Sequence, residues 1–131
     1  MQLVQINVQS THKLVHSIEN VIQGNTITDP YHRKDGQLRK FDYIVSNPPF
    51  KLDFSDDIDV LKKKENKARF FAGVPNVPAK KKDSMAIYTL FLQHIIYSLK
   101  AGKGKAAIVV PTGFITAQSG IEKKIRQYAV E

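Results

Sequence analysis

The chain has 131 residues and a formal net charge of +8, from 20 basic and 12 acidic side chains. That length suits one domain, and 42% apolar residues supply a packed core, which excludes wholesale disorder. There are no cysteines, so disulfides and thiolate metal sites are excluded and a cytoplasmic setting is the default expectation. The apolar runs are far short of the roughly 20 residues of a membrane span, so no membrane association is expected. The first residues, Met1 to Gln5, have neither a basic nor an apolar leader pattern. Excess positive charge favours a polyanionic partner such as nucleic acid, against the plain alternative of a lysine-rich solvated surface.

In chain order, Ser10 to Glu19 predicts a short helix with Leu14, Val15 and Ile18 on one face. Asn20 to Gln23 predicts a short buried strand stopped by Gly24. Thr26 to Lys40 is polar and loop-like, with Pro30 and Gly36 as breakers. Phe41 to Ser46 is β-branched and aromatic, and predicts a strand that stops at Asn47-Pro48-Pro49. Lys51 to Lys82 is a long polar segment with little periodicity, of a kind that is usually functional or mobile. Asp83 to Lys100 predicts the clearest helix, capped by Asp83 or Ser84 and stopped by Gly102. Lys105 to Val110 predicts a strand whose unbroken apolar run suits a sheet covered on both faces. Ala117 to Val130 predicts a final amphipathic helix, with Ile121, Ile125 and Tyr128 on one side.

Strands alternating with helices imply an α/β fold built on a mostly parallel sheet with flanking helices. Ligands of such sheets bind beyond the carboxyl ends of the strands. Gly24-Asn25, Asn47 to Phe50 and Pro111-Thr112 all fall at those ends, so three loops are expected to converge on one rim.

Asn47-Pro48-Pro49-Phe50 after a hydrophobic strand is the strongest chemical signal. The lone pair of an exocyclic amine such as adenine N6 is delocalised into the ring and is a poor nucleophile. Two acceptors holding both N6 hydrogens draw the nitrogen toward tetrahedral geometry and free the lone pair to attack a sulfonium methyl. Asn47 offers a side-chain oxygen and Pro48 a backbone carbonyl. Pro48 and Pro49 fix φ, hold the preceding residues extended and donate no N–H, which preorganises acceptors for a donating ligand. Phe50 offers a flat face for a base extruded from the duplex. The plain alternative is an ordinary strand-ending turn, since Asn-Pro often starts turns.

Phe41 to Phe50 resembles the catalytic motif of amino-methyltransferases. The longer pattern resembles the modification subunit of type I restriction-modification systems, an N6-adenine DNA methyltransferase family. It is carried by Gly24 to Pro30, Asp83-Ser84-Met85-Ala86, Leu99 to Lys105, Ile108 to Phe114 and Glu122 to Tyr128. The resemblance runs from about Ser10 to the end. It implies a Rossmann-like fold, S-adenosylmethionine as methyl donor and adenine in DNA as acceptor. It further implies Asn25 and Thr26 beside the cofactor, Asn47 touching both cofactor and target, and specificity and restriction subunits as partners. Relatives often have Asp where this chain has Asn25. The family's glycine-rich loop and the acidic residue that holds the cofactor ribose would precede Ser10, yet Gly24 is the first glycine and Glu19 the first acidic residue. Residues 1–131 therefore read as the C-terminal part of a catalytic domain, expected to be inactive alone.

Lys62, Lys63, Lys64, Lys67, Arg69, Lys80, Lys81 and Lys82 flank Phe70-Phe71 and suit a loop contacting DNA phosphates. The plain alternative is a solvated loop with an apolar anchor. Asp53, Asp56, Asp57 and Asp59 lack calcium-loop spacing and read as solvent-exposed. His12 and His16 share a helical face without a third ligand, and His32 and His94 are scattered. Two other functions remain open: methylation of RNA or of a protein glutamine, and a catalytically dead fragment that binds nucleic acid.

Overall fold

The computed structural model describes residues 3–6 and 21–130. The helix expected over Ser10 to Glu19, with His12 and His16, lies outside the described residues. The described elements are β1 (Leu3–Ile6), β2 (Val21–Gly24), β3 (Arg33–Lys34), β4 (Gln37–Leu38), β5 (Tyr43–Ser46), α1 (Ile58–Leu61), α2 (Tyr88–Tyr97), β6 (Lys105–Ile108), α3 (Gly113–Thr116) and α4 (Gly120–Val130).

The fold is mixed α/β, but its strands form three two-stranded sheets among the described residues, not one mostly parallel sheet. β1 and β2 are antiparallel, with Leu3 opposite Gly24. β3 and β4 make a small antiparallel hairpin. Its turn is Asp35-Gly36, both at positive φ, the backbone that a two-residue hairpin loop needs. Among the described strands only β5 and β6 pair in parallel, in register from Tyr43 opposite Lys105 to Ser46 opposite Ile108.

The β5–β6 pair is covered on one face. Ile108 packs with Val110, Phe114 and Ile121 around buried Ala72, Tyr88, Leu92 and Ile125. The other face carries Tyr43, 74% exposed, and Val45, 84% exposed. The expected two-sided cover is thus absent among the described residues, because the packed helices α2 and α4 lie on the same side.

α2 is shorter than its sequence pattern. Lys82–Ser84 is a single 3-10 turn, and Met85 is extended, so neither Asp83 nor Ser84 caps the helix. Two backbone bonds explain the delay. Leu52 N–H donates to the Met85 carbonyl at 3.1 Å and Tyr88 N–H to the Phe50 carbonyl at 3.4 Å, which pins residues 85–88 along the segment after Pro49. The helix ends at Tyr97 with Ser98 as cap, and Gly102 serves the following turn at φ 76°. α2 is buried nearly all round, from Tyr88 through Gln93 and again at Ile95.

The long segment between Lys51 and Lys82 is largely folded. It holds α1 and several 3-10 turns. It sends Phe54, Leu61 and Phe70 into a core cluster with Ile27, Met85, Ile87, Leu90 and Phe91. Along α4, Ile125 is buried, Ile121 packs beside it, and Tyr128 lies against Phe71 with ring centroids 4.4 Å apart. No helix among the described residues is long and apolar enough to cross a membrane.

Candidate active site

β5 delivers Asn47 to the carboxyl end of the parallel pair. There Val109 N–H donates to the Ser46 carbonyl at 3.0 Å, which sets the loop after β6 beside the loop after β5. Asn47 is exposed, and neither its carboxamide nor the Pro48 carbonyl is engaged by another described residue. Among the described residues, two acceptors are therefore free at a stiff Pro-Pro corner whose first ring, Pro48, is buried. Phe50 is half-buried and meets Tyr88 edge to face, with centroids 6.3 Å apart and planes at 71°.

Of the three loops expected on one rim, those after β5 and β6 are brought together. Gly24-Asn25 sits at the end of β2, in a different sheet. Its connection to the rest runs through Ile27 in the core cluster and through Arg69. The Asn25 side chain forms a local turn. Its Oδ1 accepts from the Ile27 and Thr28 N–H groups at 3.0 and 3.1 Å, which leaves Nδ2 as the group open to a ligand. Gly24 allows close approach of Tyr31, since a Cβ there would stand 2.2 Å from that ring.

The basic residues divide in two. Lys62, Lys63, Lys64, Lys67, Lys80, Lys81 and Lys82 are exposed. Arg69 is 3% exposed and cannot reach a surface phosphate, which removes it from the expected DNA-facing set. Its Nη1 donates to the Thr26 carbonyl at 3.2 Å and to His94 Nδ1 at 3.3 Å. Its Nη2 donates to the Ile27 carbonyl at 2.5 Å and to Asn66 Oδ1 at 3.0 Å. The Phe70 ring lies 4.3 Å from the guanidinium carbon. Burial, with Arg33 nearby, brings the Arg69 pKa down to about 10, so it stays charged at neutral pH. Burial first, then Arg69, His32 and Lys40, pushes His94 down to about 3, so its imidazole is neutral and can accept. Among the described residues no group of three His, Cys, Asp or Glu side chains is placed to hold a metal. Asp53 accepts from the Ser55 hydroxyl at 2.6 Å and N–H at 2.9 Å, and these bonds lower its pKa.

Gln93 and Tyr88 carry no expectation from sequence, yet both shape the site. Gln93 is fully buried and staples the Ala72-Gly73 backbone to α2. Tyr88 backs Phe50. The signal that could have found them is that Tyr88 to Tyr97 is largely uncharged on every side, as an all-round buried helix is.

A family model described as N-6 DNA methylase matches residues 1–131. The chain belongs to the N-6 DNA methylase family. Enzymes of this family methylate DNA and generally use S-adenosylmethionine, and the uncommitted Asn47 and Pro48 acceptors suit such chemistry. No curated protein and no solved structure matches the chain.

Proposed function

We propose that this protein is the modification component of a type I restriction-modification system and transfers a methyl group to N6 of an adenine extruded from duplex DNA. The observation that carries the reading is the unengaged pair of acceptors, Asn47 Oδ1 and the Pro48 carbonyl, at the carboxyl end of β5. They would take the two N6 hydrogens and leave the nitrogen lone pair free. The Pro48-Pro49 corner holds them before the base arrives, so little reorganisation accompanies reaction. Phe50 would stack on the base.

S-adenosylmethionine, when bound, supplies an activated sulfonium methyl. Asn25 fits its adenine through Nδ2, a donor suited to a ring nitrogen, because Oδ1 is held by the turn. Thr26 lies in the same turn, its carbonyl committed to Arg69. Asn47 would stand between cofactor and target. The exposed lysines at 62–64, 67 and 80–82 would meet phosphates, with DNA and the specificity and restriction subunits as partners in the cytoplasm.

The test offers labelled S-adenosylmethionine with three acceptors to the full protein in its native complex: unmethylated DNA, RNA and glutamine-containing peptides. Label is expected in DNA alone, as N6-methyladenine. Label in RNA or peptide instead would overturn the assignment.

A further inference from the structure

Resting on the reading of Phe50 as the stacking ring, we infer that Tyr88 is a positioning residue that sets the plane of that ring. A phenylalanine on a strand-ending loop would ordinarily turn about its side-chain bonds. Here it is held at both ends. Its carbonyl accepts from the Tyr88 N–H at 3.4 Å, and its ring lies edge to face with the Tyr88 ring at 6.3 Å. Edge-to-face contact sets a preferred angle between planes as well as a distance.

Tyr88 is itself fixed. It is 4% exposed, and its ring stands at 90° to that of Phe114 with centroids 6.3 Å apart. Its hydroxyl donates to Glu122 Oε1 at 3.3 Å. Burial, then Glu122, raises the Tyr88 pKa to about 12, so the phenol keeps its proton. Behind Phe114, the Arg126 guanidinium donates to the Phe114 and Ala117 carbonyls. Three rings thus run from the start of α3 to the Asn47–Phe50 corner, and α4 anchors the chain through Glu122 and Arg126. Tyr88 is too buried to touch a base and acts through Phe50.

The test compares kcat and KM for unmethylated DNA in the native complex carrying Phe50→Leu, Tyr88→Leu or both. Stacking follows DNA binding, so each single variant should lower kcat about tenfold while KM moves less than about twofold. The double variant should be no slower than Phe50→Leu, because both act through one ring. Tyr88→Phe, which keeps the ring and removes only the Glu122 bond, should restore most of the missing kcat. If Tyr88→Leu does not fold, Phe114→Leu takes its place, with a loss of about threefold expected that vanishes in the Phe50→Leu background. Unchanged kcat in the single variants at Tyr88 or Phe114, or losses that add in the double variant, would overturn the positioning role alone. Absence of methyl transfer by the unaltered complex would overturn the methyltransferase reading, and this inference with it.

Discussion

The guanidinium of Arg69 donates to the carbonyl of Ile27 at 2.5 Å, joining residues 42 positions apart. With the Thr26 carbonyl, Asn66 and His94 as its other partners, this buried cation ties the Asn25 turn to the basic segment and to α2. Arg69→Met would strand those acceptors in a dry interior. The expected loss is about 3 kcal/mol of unfolding free energy, measured by urea titration. Arg69→Lys, a single point donor in place of a planar fork, should recover only part of it.

His94 gives the fold an acid-sensitive element. Its folded-state pKa of about 3 lies below the ordinary 6.5, so between those values the unfolded chain takes up a proton that the folded chain refuses. Its contribution is therefore present above about pH 6.5 and is lost as pH falls toward 3, at up to about 1.4 kcal/mol per pH unit. Urea midpoints at pH 7.5 and pH 5.0 should differ less in His94→Gln than in the unaltered protein. An undiminished difference would show that His94 is not the group responsible.

Gln93 is a buried polar group of α2. Its Oε1 accepts from the Ala72 N–H and its Nε2 donates to the Gly73 carbonyl, both at 2.8 Å, where Gly73 sits at φ 105°. Gln93→Leu would keep the volume and orphan both backbone groups. A destabilisation of about 2 kcal/mol is expected, seen as a lowered melting temperature.

The exposed lysines and Arg69 should separate in salt titrations of DNA binding. Replacing Lys63 or Lys81 by Ala should weaken binding to all sequences alike. Removal of one cation from a phosphate should make the slope of log K against log salt shallower by up to about 1. Arg69→Lys should leave that slope unchanged, since position 69 is buried.

Much of the candidate corner at Asn47 to Phe50 is legible in sequence because its signals are local. A β-branched run ending in Asn47-Pro48-Pro49 needs no distant information to be read as a strand and a stiff turn. The Asp35-Gly36 hairpin is equally local, but its polar setting hides it inside a segment that reads as loop. Arg69 departs from expectation for a physical reason. Its lysine neighbours suggest a shared surface, whereas its partners beyond Asn66 are backbone carbonyls and a neutral imidazole far off in sequence, which no charge pattern reveals. The late start of α2 depends on Leu52 and Phe50 pairing with residues 85–88, a tertiary arrangement that overrides the Asp83-Ser84 capping signal. The three-loop rim is expected from one sheet; among the described residues β2 instead pairs with β1, and a backbone bond joins the loops after β5 and β6.

Asn47 and the Pro48 carbonyl are proposed to grip the amine to be methylated, and every other functional assignment depends on that grip. The most direct measurement is N6-methyladenine in DNA hydrolysates after reaction of the native complex with S-adenosylmethionine, comparing the unaltered protein with Asn47→Ala. Loss of one preorganised partner should slow methyl transfer about 100-fold or more, with the melting temperature little changed because Asn47 is exposed and unengaged. N6-methyladenine formed by Asn47→Ala at the unaltered rate would contradict the account.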